Sequence, residues 1–275
     1  MTTTSIRNVL SIAGSDPSGG AGIQADIKAI SARGCYAMAA LTALTAQNTR
    51  GVSAVCPLAP DFVEEQIRMV FADIRVDAVK IGMIANARIA EAVARALEPH
   101  RGIPVVHDPV MIAKGGAALL DPEAIAVLKH RLLPLATLLT PNLPEAAALL
   151  GAREAADRAT MAEQASRLAA LGPTAILMKG GHLAGPESPD CLLSGEGISW
   201  FEGVRIAGSN THGTGCSLSS AIAAELGKGK PLGESVSSAK LWLQQAIAMA
   251  DQLEVGSGHG PVHHFHALWR AGAAD

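Results

Sequence analysis

Short apolar runs alternate along this chain with longer segments whose apolar residues repeat at helical spacing. The first run, residues 8–13 (NVLSIA), ends at Gly14 and is followed by a glycine-rich loop. In the next segment Ile23, Ile27 and Ile30 share one face, as expected for an amphipathic helix. Similar pairs recur along the chain, and strands that alternate with helices of about 10–15 residues indicate parallel βαβ units. The pattern therefore predicts an α/β fold with a mostly parallel central sheet.

The same pattern gives bounds for each element. Strands are predicted at residues 8–13, 36–45, 78–81, 103–106, 135–139, 175–178, 191–193 and 198–201. Helices are predicted at residues 23–33, 61–74, 87–97, 161–171 and 232–253, and others begin at Pro122, Pro144 and Cys216. Ser-Gly-Glu-Gly separates the last two strands, which indicates a late antiparallel hairpin. We expect residues 204–207 to extend that antiparallel edge.

Composition and length narrow the fold and the classes of partner. With 275 residues, 49% of them hydrophobic, the chain lies near the size at which single cores stop growing, so we expect one domain over residues 1–275. A net charge of −3 and 3% aromatic residues argue against a nucleic-acid partner. The four cysteines contain no C-x-x-C pair, so neither a zinc site nor a disulfide framework is predicted. Because no signal peptide and no membrane-spanning apolar stretch is recognisable, we expect a cytoplasmic protein with no membrane partner.

Two glycines flank a threonine just before a run of small and apolar residues, at Gly213, Thr214 and Gly215. Backbone N–H groups at the start of a helix, together with the helix dipole, hold anions such as phosphate. Cys216 lies where the helix begins, and an electropositive site there would lower the pKa of its thiol. The stretch indicates either a phosphoryl-transfer site with a catalytic thiol or an ordinary glycine loop with a small buried cysteine.

The earlier glycine-rich loop, residues 14–22, matches neither of two well-known nucleotide motifs. It lacks the Gly-Lys-Ser/Thr end of a Walker A motif and the spacing of the dinucleotide fingerprint. Its composition fits either a close approach of the backbone to a small ligand or a flexible surface turn, and the spacing leaves both open.

Polar or glycine-rich segments follow five of the predicted strands. They are residues 14–22, 47–48, 108–109, 140–145 and 179–181. Because open α/β sheets bind ligands beyond the carboxyl ends of their strands, we expect these segments to converge on one crevice. Asp108, Glu145 and Lys179, with the glycine loop, have the chemistry for magnesium-assisted phosphoryl transfer. Taken singly, they are also typical of a turn former, a helix N-terminal residue and a solvated charge, and Asn142 is typical of a helix cap.

Eight motifs spread along the chain carry a resemblance to a known family. They are AGSDPSGGAGIQAD, TALTAQNT, KIGM, DPVM, TPNLPEA, LMKGGH, NTHGTGCSLSSAIAA and GPVHHFH. Together they resemble the hydroxymethylpyrimidine/phosphomethylpyrimidine kinases of thiamine biosynthesis, in the ribokinase-like superfamily. The resemblance implies a three-layer αβα sandwich and a homodimer. It also implies MgATP-dependent phosphorylation of 4-amino-5-hydroxymethyl-2-methylpyrimidine, and then of its monophosphate to the diphosphate.

The resemblance also assigns residues to a substrate pocket. Gln47 would bind the pyrimidine, because its carboxamide offers one donor and one acceptor to a ring nitrogen beside an exocyclic amine. The residues implied to line the same pocket are Gly14, Asp26, Met83 and Val110.

A second group of residues is implied to handle phosphate, metal and proton. Those implied to contact the ATP phosphates are Lys179, Thr211, Gly213, Thr214 and Gly215. Those implied to organise Mg²⁺ are Asp108 and Glu145, with Asn142 beside them. Cys216 occupies the position at which most members of the superfamily place an aspartate. We hypothesise that its thiolate is the base that accepts the proton of the substrate hydroxyl. The alternative is that the charge of magnesium and phosphate makes a strong base unnecessary.

Two other functions compete with this interpretation. A pyridoxal or pyridoxine kinase is the alternative enzyme, since chains related to this family phosphorylate that ring too. A non-catalytic vitamin-binding module on the same fold is the alternative outside catalysis. The complete set of Asp108, Glu145, Lys179 and Cys216 argues against the binding module.

Overall fold

An eight-stranded sheet forms the centre of the protein in the computed structural model, which describes residues 5–111, 122–208 and 210–269. The strands in the described ranges are β1 (Asn8–Ala13), β2 (Tyr36–Leu41), β3 (Ala43–Asn48), β4 (Gly51–Pro57), β5 (Ala78–Ile81), β6 (Val105–His107), β7 (Leu138–Leu139), β8 (Ala175–Met178), β9 (Asp190–Ser194) and β10 (Gly197–Phe201). The sheet has the order β10-β9-β8-β7-β6-β5-β1-β2. Along this order, every neighbouring pair between β8 and β2 is parallel, whereas the β8–β9 and β9–β10 pairs are antiparallel. A mostly parallel sheet with a late hairpin is thus confirmed.

Helices cover both faces of this sheet. They are α1 (Gly22–Ala32), α2 (Pro60–Asp73), α3 (Ala87–Leu97), α4 (Pro122–Val127), α5 (Leu143–Leu150), α6 (Arg158–Ala169), α7 (Thr214–Gly227) and α8 (Leu232–Ala248). Adjacent residues of β1 serve opposite layers: Val9 packs with Ile30 of α1 and Ile222 of α7, whereas Leu10 packs with Ile67 of α2. A strand covered on both sides reads as a continuous apolar run. The predicted three-layer αβα sandwich is therefore confirmed.

The segment predicted as one strand over residues 36–45 is two strands in different sheets. The chain leaves the central sheet at Thr42, whose buried hydroxyl donates to the carbonyl of Met83 at 2.7 Å. β3 then pairs with β4 in a separate antiparallel hairpin, a partner that the apolar pattern does not predict. This hairpin carries Gln47 away from the central sheet and over its edge.

Smaller differences lie at element ends. Residues 135–139 shorten to β7, because Leu133–Leu135 form a 3-10 turn around Pro134. Residues 204–207 form no strand, and only Val204 makes an isolated bridge, with Glu187. The last predicted helix ends at Ala248 rather than at residue 253. Across the described ranges, no helix is both long and apolar enough to cross a membrane.

Candidate active site

Three neighbouring parallel strands end at polar side chains. β6 leads to Asp108, β7 leads to Asn142 and β8 leads to Lys179. The backbone keeps these ends aligned, since Lys179 N–H donates to the carbonyl of Pro141 and Asp108 N–H donates to the carbonyl of Ile81, both at 2.9 Å. Parallel pairing therefore brings Asp108, Asn142 and Lys179 to one edge of the sheet.

Lys179 lies between two buried carboxylates. Its Nζ is 2.7 Å from Asp108 Oδ1 and 3.9 Å from Glu145 Oε2. A capping box at the start of α5 holds Glu145 in place: Asn142 Oδ1 accepts from Glu145 N–H, and Glu145 Oε2 accepts from Asn142 N–H, both at 2.8 Å. The helix-cap interpretation of Asn142 is thus confirmed. Its side-chain oxygen is engaged in that cap.

Burial and charge act in opposite directions on this cluster. Burial raises the pKa of Glu145 to about 7, with Asp108 adding to the rise and Lys179 opposing it. Burial also raises the pKa of Asp108, but the ammonium groups of Lys179 and Lys80 outweigh it and hold that pKa below its usual range. Burial lowers the pKa of Lys179, whereas Asp108 and Glu145 outweigh it and raise that pKa. The cluster therefore holds Asp108 as an anion and Lys179 as a cation at neutral pH.

The same two carboxylates fit a divalent cation. Among the described residues, none forms a hydrogen bond with Asp108 Oδ2 or Glu145 Oε1, so each carboxylate keeps an oxygen free. Carboxylate oxygens are the ligands that Mg²⁺ prefers, with water completing its shell. Asp108 and Glu145 would hold the ion, and Asn142 lies beside them as the cap of α5.

The glycine loop before α7 lies against this cluster. Gly213 has a φ of +76°, and a Cβ there would collide with the carbonyl oxygen of Gly20, so the position requires glycine. A Cβ on Gly215 would lie 3.3 Å from Lys179 Nζ and 3.4 Å from Asp108 Oδ2. Thr214 is the first residue of α7, and Thr211 lies three residues before it, in the same loop. The free N–H groups at the start of α7 therefore lie close to Lys179.

Cys216 lies in the first turn of α7 and is half-buried. Burial raises the pKa of its thiol to about 11, and the carboxylates of Asp26 and Asp108 add to the rise. The Lys80 ammonium and a hydrogen bond from Gly22 N–H lower it without compensating. The expectation of a lowered thiol pKa is thus wrong for the ligand-free protein, because burial outweighs the neighbouring positive charge.

Gly14, Met83 and Val110 follow the carboxyl ends of β1, β5 and β6, so they lie at the same edge of the sheet. Gly14 faces Met83 closely, since a Cβ on Gly14 would lie 2.6 Å from Met83 Cε. Val110 is half-buried, and its N–H donates to the carbonyl of Asp108 at 2.8 Å. Gln47 is half-buried on β3 and approaches from the hairpin.

Asp26 does not line an open surface. It is fully buried, and both of its carboxylate oxygens lie 2.9 Å from the Nζ of Lys80. The hydroxyls of Ser11 and Ser220 donate to the same carboxylate at 2.6 and 2.8 Å. In this structure Asp26 is therefore part of a buried ion pair below Cys216, rather than a wall of the substrate pocket.

Three residues near the site lie inside the quoted motifs but have no role implied by the resemblance. Lys80 interrupts an otherwise apolar buried strand, which is the sequence signal that it has a buried partner. Asp16 and His212 lie inside the two glycine loops, and their contact at 2.8 Å joins those loops. Nothing in the spacing indicates that contact, because 196 positions separate the two residues.

Comparison with known proteins gives a consistent result. The family model for phosphomethylpyrimidine kinase matches residues 16–263. A hydroxymethylpyrimidine/phosphomethylpyrimidine kinase of Salmonella typhimurium is 55% identical over 262 residues, covering 95% of this chain and 98% of that protein.

Solved structures show the same relationship. A phosphomethylpyrimidine kinase of Clostridium difficile has a TM-score of 0.78 at 42% identity and covers 88% of this chain and 99% of that one. The ADP complex of Bacillus subtilis pyridoxal kinase has a TM-score of 0.87 at 36% identity and covers 96% of this chain and 99% of that one. The glycine loop before α7 and the Asp108–Lys179–Glu145 cluster lie within the matched residues, and this chain belongs to the phosphomethylpyrimidine kinase family.

Proposed function

We propose that this protein transfers the terminal phosphoryl group of ATP to the hydroxymethyl group of 4-amino-5-hydroxymethyl-2-methylpyrimidine, and then to the resulting monophosphate. The observation that carries the proposal is the position of Lys179, whose Nζ lies 2.7 Å from Asp108 and beside the loop before α7. A fixed cation beside free backbone N–H groups suits the charge that develops on a transferring phosphoryl group. The names of the Salmonella typhimurium and Clostridium difficile relatives support the choice of substrate.

In this proposal, Lys179 and the loop before α7 bind the phosphate groups. Lys179 and the N–H groups of Gly213, Thr214 and Gly215 bind the phosphate oxygens, with Thr211 contributing from the same loop. Because the loop is held by close packing of Gly213 against Gly20, these donors are positioned before the substrate arrives.

Asp108 and Glu145 hold Mg²⁺ in this proposal, with Asn142 positioning Glu145 through the α5 cap. When bound, Mg²⁺ offsets the negative charge of the phosphates. Burial raises the pKa of Glu145 to about 7, so near neutral pH a proton competes with the metal for this carboxyl. Loss of that proton is therefore linked to metal binding.

We assign the substrate side to Gln47, Gly14, Met83 and Val110. The carboxamide of Gln47 pairs with the ring nitrogen and the exocyclic amine, and Met83 contacts the ring. Homodimer formation stays a prediction of the resemblance, and action in the cytoplasm stays a prediction from the sequence pattern.

Pyridoxal kinase is the second candidate, favoured by the close fold match to the Bacillus subtilis enzyme. A coupled assay of ADP release, run separately with the aminopyrimidine alcohol, its monophosphate and pyridoxal, decides between the two. We expect turnover of both pyrimidines and a kcat/KM at least about tenfold lower for pyridoxal. A higher kcat/KM for pyridoxal would reverse the choice. ADP release with none of the three substrates would favour a binding module.

Cys216→Ala tests the proposed base. We expect kcat to fall by about 10²-fold, because a positioned base contributes roughly that much or more. The thiol has a pKa of about 11, so the thiolate fraction rises about tenfold per pH unit below that value. We therefore expect kcat/KM of the unchanged protein to rise between pH 8 and 9.5, above the titration of Glu145.

Cys216→Asp is the matched control for that profile. Its carboxylate is ionised throughout the range, so the rise between pH 8 and 9.5 should disappear while turnover remains. A Cys216→Ala protein with wild-type kcat would show that the thiol is dispensable.

A further inference from the structure

A chain of contacts connects Gln47 to two residues that have no assigned role. The two ends of the Gln47 carboxamide lie 3.3 Å from His212 Nε2 and 3.1 Å from Thr45 Oγ1. His212 Nε2 is also 2.8 Å from Asp16 Oδ2. His212 and Asp16 are buried, so the contact between them is shielded from water.

The contact with Asp16 decides where the proton of His212 lies. Burial raises the pKa of Asp16, but hydrogen bonds led by His212 and Ser18 outweigh it and lower that pKa, so Asp16 is a carboxylate. A carboxylate only accepts hydrogen bonds, and the Nε2 atom of His212 must therefore carry the hydrogen. The end of the Gln47 carboxamide that lies 3.3 Å from Nε2–H meets a donor, so that end must be the carbonyl oxygen, which shares the one hydrogen with Asp16 as a longer, three-centre contact.

The other end of the carboxamide leads to the same orientation. Thr45 Oγ1 donates its single hydrogen to the carbonyl of Ser15 at 2.8 Å. The hydroxyl therefore accepts from Gln47, and that end must be the amide nitrogen. Both contacts turn the amide nitrogen of Gln47 toward Thr45 and its carbonyl oxygen toward His212.

This orientation leaves Gln47 one N–H and one oxygen lone pair for a ligand. An aminopyrimidine presents a ring nitrogen that accepts and an amine that donates, in a fixed order. A reversed carboxamide would set donor against donor, at the cost of leaving polar groups unpaired. The order of donor and acceptor on Gln47 therefore fixes the direction in which the ring lies.

We infer that Asp16 and His212 are positioning residues, which hold the carboxamide of Gln47 in one orientation and so select an aminopyrimidine ring. This inference rests on the proposed function. His212 also directly precedes Gly213 of the phosphate loop. Its backbone N–H donates to the carbonyl of Gly260 at 3.0 Å. The same residue, His212, therefore contacts the ring-binding side chain of Gln47 and anchors the start of the phosphate loop.

A double-mutant cycle tests the inference against a merely structural role. We expect His212→Phe, which keeps a ring but loses the donor, to raise KM for the aminopyrimidine alcohol about tenfold, with KM for ATP within about twofold. Asp16→Asn should act in the same direction. In a Gln47→Ala background, His212→Phe should change KM by less than about twofold, because the group it positions is gone. An undiminished tenfold rise in that background would overturn the inference.

Two further measurements separate a positioning role of Asp16 and His212 from a structural role and from failure of the proposed function. Ser18→Ala removes a hydrogen bond to Asp16 Oδ1 but leaves Oδ2 with His212, so KM should stay within about twofold. Nitrogen NMR of the ligand-free protein should show the Nε2–H tautomer of His212, and the Nδ1–H tautomer would contradict the pair. If the wild-type protein fails to phosphorylate the aminopyrimidine alcohol, the proposed function fails, and the tautomer still tests the pair.

Discussion

Lys179→Met is expected to lower kcat by about 10³-fold while KM for the aminopyrimidine alcohol changes by less than about threefold. The ammonium lies 2.7 Å from Asp108 and beside Gly215, where the phosphoryl group would pass. A positive charge fixed in a largely buried site stabilises the charge that develops in the transition state more than it stabilises the bound substrate. The loss should therefore appear in kcat.

The same substitution removes the charge that separates two buried carboxylates. Without Lys179, Asp108 keeps only the more distant ammonium of Lys80, Glu145 loses the cation that lowers its pKa, and the proton affinity of both carboxylates rises. Steady-state kinetics at saturating ATP and Mg²⁺ measure the effect on kcat.

Lys240→Met is the matched control. Lys240 is as buried as Lys179 and pairs with Asp190 at 2.6 Å, but it lies outside the cluster. The Lys240→Met variant should be less stable than the wild type, but its kcat should stay within about threefold of the wild-type value. Equal losses of kcat in the two variants would show that Lys179 matters only for folding.

The central sheet and its polar edge were predictable from the sequence, for a physical reason. Strands buried on both faces carry no alternation, so β1, β5 and β8 stand out as short apolar runs between turn residues. The carboxyl ends of parallel strands lie on one edge, which is why polar residues after separate strands meet. That rule is sufficient to bring Asp108 and Lys179 together.

The hairpin that carries Gln47 was not predictable in the same way. Most of β4 is exposed, so its residues show no apolar alternation that would mark a strand. The break between β2 and β3 depends on a hydrogen bond from Thr42 to the carbonyl of Met83, 41 positions away. No turn residue marks that break in the sequence.

Partners of buried polar groups are also set by tertiary contacts alone. Asp26 and Lys80 are 54 positions apart, and the spacing of their motifs gives no sign that they pair. The thiol of Cys216 depends on the same contacts, because its pKa reflects burial together with Lys80, Asp26 and Asp108. The start of a helix alone therefore predicted the wrong direction for that pKa.

Lys80→Met is expected to destabilise the protein by about 3–5 kcal/mol, the cost of removing one partner from a buried ion pair. Lys80 and Asp26 are both fully buried, and their atoms lie 2.9 Å apart. Burial lowers the pKa of Lys80, but Asp26 outweighs it and raises that pKa, which shows how strongly each charge depends on the other. In the variant, the hydroxyls of Ser11 and Ser220 are the hydrogen-bond donors left to the carboxylate of Asp26 among the described residues.

Chemical denaturation of two further variants separates the lost charge from the lost packing. Lys80→Met/Asp26→Leu removes both charges, so it should be more stable than Lys80→Met by at least about 1 kcal/mol. Arg33→Met is the control, because buried Glu225 keeps Lys228 and Lys230 at 3.1 Å, and its cost should stay near 1 kcal/mol. Lys80→Met as stable as the wild type, or a double variant less stable than Lys80→Met, would show that the ion pair does not hold α1 against the sheet.

Lys80→Met should also raise the pKa of the Cys216 thiol further, because it removes the ammonium that opposes the effect of burial on that thiol.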